Sequence, residues 1–113
     1  MSRVTTHVLD TARGKPAAGV PVRLERGRPD GGFEKISSGV TDADGRLGDL
    51  VGEEGLVGGV HRLVFDTNAY HERCGERGFY PSVTIDFRIE DASQHHHVPL
   101  LLSPFGYSTY RGS

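Results

Sequence analysis

The chain is poor in cysteine, in long apolar runs and in excess charge of either sign. Cys74 is the only cysteine among 113 residues, so an intrachain disulfide is excluded, and this fits a reducing compartment. No segment approaches the roughly 20 apolar residues of a membrane-spanning helix. The N-terminal stretch MSRVTTHVLD lacks the apolar core of a signal peptide, and the C-terminus does not resemble a peroxisomal signal. We therefore expect a cytoplasmic protein.

The charge balance gives no sign of a nucleic-acid or membrane partner. A net charge of -2 lacks the electrostatic footprint of a nucleic-acid-binding protein. No basic run suggests attachment to a membrane surface. The 35% hydrophobic and 25% charged residues are typical of an ordinary globular protein. The length suits one domain with a single core, which we expect to span residues 1–113.

Motifs for nucleophilic catalysis and for phosphate binding are missing as well. The chain has no G-x-S-x-G elbow and no glycine-rich phosphate loop. Cys74 lies in a polar, helix-like segment, which favours a structural thiol over a catalytic one. The T-D-A-D-G segment at 41–45 is similar to the start of a calcium-binding loop but lacks the later acidic ligand, so we interpret it as a turn.

Glycine and proline fall at short intervals, a pattern typical of turns between short strands. One segment without alternation, residues 68–77, predicts a short helix that ends at Gly75 or Gly78. Residues 13–19 and 27–32 are predicted to be turns. Seven or eight strands and one helix indicate a β-sandwich. The predicted strands are residues 4–10, 20–26, 33–41, 46–50, 60–67, 82–89, 95–103 and 105–112.

Strand alternation predicts on which face each histidine lies, because successive side chains of a strand point to opposite faces. In the first strand His7 shares a face with Thr5 and Leu9. In the strand 95–103 the more apolar set begins at His96 and should face the core, so His97 points outward. That outward face mixes Leu and Pro with His, which indicates burial against a second subunit. A cleft there could hold a small molecule.

Each histidine also has a structural interpretation. We expect His61 and His71 to be surface or hydrogen-bonded structural residues, and His96 to be packed and bonded to backbone. His95 and His97, two residues apart on one face, could bind a metal, but no third ligand is apparent. The residues alone thus indicate an oligomeric β-sandwich with a histidine-lined site, and they leave the reaction open.

Four motifs give the chain a likeness to a known enzyme family. The stretch 97–113, HVPLLLSPFGYSTYRGS, resembles the signature of the 5-hydroxyisourate hydrolases, and its last four residues are the most specific part. The segments HVLD at 7–10 with GKPA at 14–17, TDADGR at 41–46 and FYP at 79–81 are similar to further motifs of that family. The likeness covers essentially the whole chain, in matching order and spacing.

The resemblance implies the fold of transthyretin, a hormone carrier. That fold is an all-β, transthyretin-like (prealbumin-like) sandwich of two four-stranded sheets, with one short helix after the fifth strand. The family resemblance also implies a homotetramer with sites at the dimer–dimer interface, where His7 and His97 lie on neighbouring strands facing a central channel. At the positions of His7, Arg46 and His97 the carriers have Lys, Glu and Thr, so the chain resembles the hydrolases more than the carriers.

The implied function is hydrolysis of 5-hydroxyisourate, the unstable product of urate oxidation. The product would be 2-oxo-4-hydroxy-4-carboxy-5-ureidoimidazoline, a step in urate (purine) degradation. His7 and His97 would position and deprotonate the attacking water. Histidine suits this task because its pKa of about 6.5 lies near the working pH. Arg46 would stabilise the oxyanion, a role worth on the order of 3 kcal/mol. No metal or organic cofactor is implied.

The C-terminal tetrapeptide completes the implied site. Ser113 is expected to act in catalysis through its hydroxyl or its terminal carboxylate. By alternation Ser108, Tyr110 and Gly112 share one face of the last strand, and Tyr110 would narrow the channel into a closed pocket. The expected substrate-binding residues are Tyr110, Arg111 and Gly112.

Two other functions stay open at this point. A non-catalytic, transthyretin-like binding protein for a small ligand predicts tight binding without turnover. A metal-dependent hydrolase that uses His95 and His97 predicts loss of activity on chelation.

Overall fold

The computed structural model describes residues 3–48, 50–51 and 55–113. Within those ranges the chain is mostly β, with one short helix and two sheets, which confirms the predicted β-sandwich with one helix. No helix of the described ranges has the length and apolarity that crossing a membrane requires. The elements are β1 (Val4–Asp10), β2 (Lys15–Pro16), β3 (Pro21–Gly27), β4 (Phe33–Val40), β5 (Arg46–Leu47), β6 (Gly59–Phe65), α1 (Thr67–Arg73), β7 (Val83–Ile89), β8 (His96–His97), β9 (Leu100–Ser103) and β10 (Gly106–Thr109).

The two sheets share one apolar core. The first is antiparallel, with strand order β4-β3-β6-β7. The second is built around β1, which pairs antiparallel with β2 and β5 and parallel with β8 and β9, while β10 pairs with the outer side of β9. This sheet has six segments instead of the expected four. Three of them, β2, β5 and β8, are only two residues long each.

The predicted alternation is confirmed in the strands that carry the histidines. Val4 and Val8 of β1 are fully buried, whereas His7 between them on the opposite face is half-buried. His96 is 4% exposed and packs with the core, and its Nδ1 donates to the carbonyl of Gln94 at 3.0 Å. His97 is again half-buried. Each fully buried valine stabilises the fold by roughly 2 kcal/mol, so the burial pattern strongly favours this register of β1 over one shifted by a residue.

The predicted strand 95–103 is divided into β8 and β9 at Pro99, because proline has no N–H to donate to the ladder. Hydrogen bonds around the break keep β8 beside β1. The Val98 N–H donates to the carbonyl of Thr5 at 2.9 Å, and the Thr6 hydroxyl donates to the carbonyl of Val98 at 2.6 Å. In this parallel pairing Thr5 lies opposite His97.

The helix is shorter than the predicted 68–77, and the strand before it ends earlier than predicted. The Asp66 carboxylate accepts from the Ala69 N–H at 3.1 Å and so caps the helix, which removes Asp66 and Thr67 from the predicted strand 60–67. Gly75, with φ of 73°, follows the helix as expected of a C-terminal glycine. Tyr70 docks the helix on β1, since its buried hydroxyl donates to the Asp10 carboxylate at 2.6 Å.

Three further segments differ in extent from their predictions. The predicted turn 13–19 contains β2, which pairs with the end of β1. Of the predicted strand 46–50 only Arg46–Leu47 is a strand, and Asp49 lies outside the described residues. The last strand ends at Thr109, and Gly112 forms an isolated bridge with His97.

Candidate active site

One half of the candidate site is the pairing of β1 with β5. His7 lies directly opposite Arg46 in this antiparallel pair. The turn before Arg46 is held by Asp42, whose carboxylate accepts from the backbone N–H of Asp44 and of Arg46, both at 2.9 Å. Gly45 in this turn has φ of 75°, and a Cβ there would come within 2.4 Å of the Val8 carbonyl oxygen. Only glycine fits at position 45 so close to β1. The D-A-D-G turn therefore places Arg46 opposite His7.

His7 has a defined proton on one ring nitrogen. Its Nε2 lies 2.9 Å from the carbonyl oxygen of Asp44. Because a carbonyl oxygen can only accept a hydrogen bond, this nitrogen carries a proton and is the donor. The neutral His7 ring therefore keeps its lone pair on Nδ1.

The other half of the site is His97 on β8, whose ring is held by β1. The Thr5 hydroxyl oxygen lies 2.7 Å from Nδ1 of His97 and 2.9 Å from Nε2 of His95. The two imidazole rings stack with 6.4 Å between their centroids. Nothing in the described part of the chain forms a hydrogen bond with Nε2 of His97. That nitrogen is available to a substrate or a water molecule.

His97 lies near Arg46 and two other histidines. Burial lowers the pKa of His97 below its ordinary value, and His95, His7 and Arg46 lower this pKa further. In the residues that the structure describes, the Arg46 guanidinium has no carboxylate partner. A neutral His97 can accept a proton near pH 7, and an uncompensated guanidinium can stabilise a developing oxyanion.

The C-terminal segment returns to β8 and covers His97. The Arg111 guanidinium donates to the side-chain oxygen of Gln94 at 3.2 Å and to the carbonyl of His95 at 3.5 Å. The Gly112 N–H donates to the carbonyl of His97 at 2.8 Å. A Cβ on Gly112 would lie 2.5 Å from Cδ2 of His97, so the backbone packs directly against the ring. Ser113 is exposed and forms no hydrogen bond with the described residues.

A cavity of about 310 Å³ lies between β7 and the C-terminal segment. Phe87 of β7 lines it together with His97, Tyr110 and Arg111, whereas His7 and Arg46 do not. Tyr110 is 58% exposed in the single chain. A larger cavity of about 560 Å³ over β3 and β4 contains none of the predicted site residues. We place the candidate site on the histidine-bearing face and not at the larger cavity, because no histidine among the described residues lines the larger cavity.

The remaining histidines are in structural positions. His61 is fully buried, and its Nδ1 donates to the carbonyl of Gly59 at 3.0 Å. Burial lowers the pKa of His61. His71 is 1% exposed and pairs with Glu76 at 3.1 Å. Among the described residues no group of three or more His, Cys, Asp or Glu side chains is placed to hold a metal ion.

Two polar residues of this site were not predicted to act in it. Thr5 was noted only for sharing a face with His7, and His95 only as a possible metal ligand with His97. Alternation places both on the outward face, which is a signal that the sequence contains. Their hydrogen bonds depend on β1 and β8 being parallel neighbours. No local sequence pattern predicts that pairing.

Comparison with known proteins gives consistent likenesses over nearly the full chain. The model of the HIUase/Transthyretin family matches residues 4–112. A protein of Caulobacter vibrioides named 5-hydroxyisourate hydrolase is 48% identical, with 100% of each chain covered. The structure of Klebsiella pneumoniae 5-hydroxyisourate hydrolase superimposes with a TM-score of 0.87 at 38% identity, again over 100% of both chains. Transthyretin from Sparus aurata superimposes with a TM-score of 0.92 at 34% identity, over 99% of this chain and 97% of the other.

Proposed function

The chain belongs to the HIUase/Transthyretin family, and from that premise we propose that it is an enzyme that hydrolyses 5-hydroxyisourate. The observation that carries the proposal is the pairing of His7 with Arg46 on one strand pair beside His97 on the next. Relatives named 5-hydroxyisourate hydrolase, such as that of Caulobacter vibrioides at 48% identity, support the same activity. The proposed product is 2-oxo-4-hydroxy-4-carboxy-5-ureidoimidazoline, in urate degradation.

The proposed reaction needs a base for water and a cation for the oxyanion. A histidine takes one proton from water while the water oxygen bonds to the ring carbonyl carbon. The carbonyl electron pair moves onto its oxygen, where Arg46 stabilises the charge by about 3 kcal/mol, as a single oxyanion donor does in other enzymes. When the carbonyl re-forms, the ring C–N bond breaks and the nitrogen takes the proton back from the histidine. No metal or organic cofactor enters this scheme.

The C-terminal tetrapeptide supplies the rest of the proposed site. Gly112 holds the backbone against the His97 ring, and Tyr110 and Arg111 line the adjoining cavity. We assign these three residues to substrate binding. Ser113, which is exposed, contributes its hydroxyl once the site is closed by a second subunit.

We further propose that residues 1–113 act as a single hydrolase domain in a cytoplasmic homotetramer, with sites at the dimer–dimer interface. Half-buried Leu9 and Leu101 lie opposite each other on the outward face of the histidine-bearing sheet. This apolar face gains free energy when a second subunit covers it. Covering it would also remove water from the histidines and strengthen their electrostatic interactions.

The first test follows the ultraviolet decay of freshly generated 5-hydroxyisourate with and without the protein, and again with EDTA. We expect acceleration that survives EDTA and disappears in His97→Gln. Running the reaction in oxygen-18-labelled water should place one labelled oxygen in the carboxylate of the product. Acceleration lost on chelation would instead point to a metal at His95 and His97.

A small-ligand binding protein is the second candidate, and the likeness to transthyretin from Sparus aurata favours it. It predicts that the folded protein binds 5-hydroxyisourate or a stable analogue without consuming it. Calorimetric binding together with an unchanged decay rate would overturn the hydrolase proposal in favour of the carrier.

A further inference from the structure

Thr5 lies between two histidine rings and can donate a hydrogen bond to only one of them at a time. Its hydroxyl oxygen is within hydrogen-bond distance of Nδ1 of His97 and of Nε2 of His95, at 2.7 and 2.9 Å. A hydroxyl has one hydrogen and two lone pairs, so it donates to at most one of these nitrogens and accepts from the other or from both. The proton positions on the two rings are therefore coupled through Thr5.

The backbone leaves Thr5 little freedom to avoid this role. Thr5 lies opposite His97 in the parallel pair, its carbonyl accepts from the Val98 N–H at 2.9 Å, and its residue surface is 8% exposed. Threonine is also stiff at χ1, so its hydroxyl stays where the strand places it. The hydrogen-bonded series His97–Thr5–His95, called the relay below, is therefore fixed by the fold and is not a chance contact of mobile side chains.

We propose that Thr5 and His95 are positioning residues that hold the proton of His97 on Nδ1, which makes Nε2 of His97 the base that deprotonates the attacking water. In this arrangement Nδ1–H of His97 donates to Thr5, and the Thr5 hydroxyl donates to Nε2 of His95. The inference rests on the proposed hydrolase function and adds to it which histidine is the base.

The reverse hydrogen bond, from Thr5 to His97, would leave the His97 ring unable to act as a base towards water. If Thr5 donated to His97, the His97 proton would be on Nε2, which could then only donate to water. Nε2 of His7 is already a donor to the Asp44 carbonyl. Nδ1 of His7 and Nε2 of His97 each have no partner in the described part of the chain. Of these two rings only that of His97 lines the cavity beside the C-terminal segment, so the base is assigned to its Nε2.

The proton count balances through the relay. Water gives one proton to Nε2 of His97 while its oxygen bonds to the carbonyl carbon, and the ring becomes an imidazolium. Its Nδ1–H still donates to Thr5, which keeps the charged ring oriented. When the C–N bond breaks, Nε2 returns the proton to the leaving nitrogen, and Thr5 and His95 end as they began. A buried aspartate holds the histidine tautomer in serine proteases by the same logic.

The tautomer can be measured without substrate, by nitrogen-15 NMR of the histidine rings in the intact protein. His97 is assigned by the signals that disappear in His97→Gln. We expect a protonated Nδ1 and an unprotonated Nε2 in the wild type, and a shift of the proton to Nε2 in Thr5→Val, which keeps the shape but loses the hydroxyl. Thr5→Ser, which restores a hydroxyl, should restore the wild-type spectrum.

The kinetic arm uses the same variants. Thr5→Val should lower kcat on the order of ten- to a hundred-fold with little change in KM, and Thr5→Ser should recover most of the rate. Thr6→Val is the matched control for lost strand stability, because the Thr6 hydroxyl also ties β1 to the chain beside β8, through the carbonyl of Val98, but forms a hydrogen bond with neither histidine ring. At position 95, glutamine keeps an acceptor for Thr5 and should retain activity, whereas lysine, which can only donate, should lose it.

The two arms separate this inference from the proposed function. A wild-type His97 protonated on Nε2, or a Thr5→Val spectrum identical to the wild type, would overturn the relay even if the hydrolase is fully active. Equal kcat losses in Thr5→Val and Thr6→Val would reduce the effect to stability and also overturn the relay. A wild type that does not accelerate the decay of 5-hydroxyisourate overturns the proposed function, while the NMR result stands by itself.

Discussion

At the scale of single residues, the proposed mechanism depends on a histidine that stays neutral beside an arginine. Burial and the neighbouring His95, His7 and Arg46 lower the pKa of His97. A base must be unprotonated to act, so activity is present above this pKa and is lost as the pH falls through it. Because the pKa lies below its ordinary value of about 6.5, the enzyme should keep its rate in mildly acidic solution.

Replacing Arg46 tests this electrostatic account. Arg46→Gln removes one positive neighbour of His97, so the pKa of His97 should rise and the acidic limb of the kcat/KM profile should move to higher pH. The rate on the plateau should also fall by a factor on the order of a hundred, as for a lost oxyanion donor. The measurement is kcat/KM against pH for the wild type, Arg46→Gln and the exposed control Arg77→Gln. An acidic limb that stays in place would separate Arg46 from the titration of His97.

At the scale of elements, short pairings position the site. The two-residue strands β5 and β8 each pair with β1, and the isolated bridge between His97 and Gly112 adds the C-terminal segment. Such segments bury little apolar area of their own, so side-chain and turn contacts determine where they lie. Asp42 in the turn before β5 and Arg111 after β10 make contacts of this kind.

The bridge at Gly112 gives a prediction at this scale. Gly112→Ala would place a Cβ 2.5 Å from Cδ2 of His97, so the ring must turn or the C-terminus must detach. We expect kcat to fall at least on the order of ten-fold, since a misplaced catalytic group loses its alignment. The melting temperature should change little, because the contact is near the end of the chain. Gly106→Ala is the control, since its Cβ would meet only the Ser103 hydroxyl at 3.8 Å. Equal activity of the two variants would contradict a tight fit under the ring.

At the scale of the whole molecule, the histidine-bearing face is only partly covered in the single chain. His7, His97, Leu9 and Leu101 are only half-buried there, and Tyr110 is 58% exposed. A site that must exclude water to strengthen its electrostatics needs this face covered. The proposed homotetramer supplies the cover from a second copy of the chain.

Leu101→Arg tests the link between assembly and activity. The charge would lie on the outward face opposite Leu9, where burial against a second subunit would cost several kcal/mol without a partner. We expect sedimentation to show smaller species and activity to fall in parallel, with an unchanged β-sheet circular dichroism spectrum. Val40→Arg, at a position 56% exposed on the other sheet, should leave both assembly and activity intact. Full activity from a monomeric Leu101→Arg would place the complete site within one chain.

Local chemistry determined most of the elements, and the sequence alone predicted them. The alternation of β1, the turn at Gly45 and the helix before Gly75 follow from side-chain periodicity and backbone preference, which act over a few residues. The outward direction of His7 and His97 followed from the same alternation. The motifs around these residues also predicted the family, which the comparisons confirm.

Only the tertiary structure decided which of these residues meet. Thr5 and His97 are 92 positions apart in the chain, and their hydrogen bond exists because β1 and β8 pair in parallel with one particular register. The division of the strand at Pro99 and the return of Gly112 onto His97 have the same origin. Local periodicity carries no information about such partners, since they are chosen by burial of one shared core and by the backbone hydrogen bonds that this burial permits.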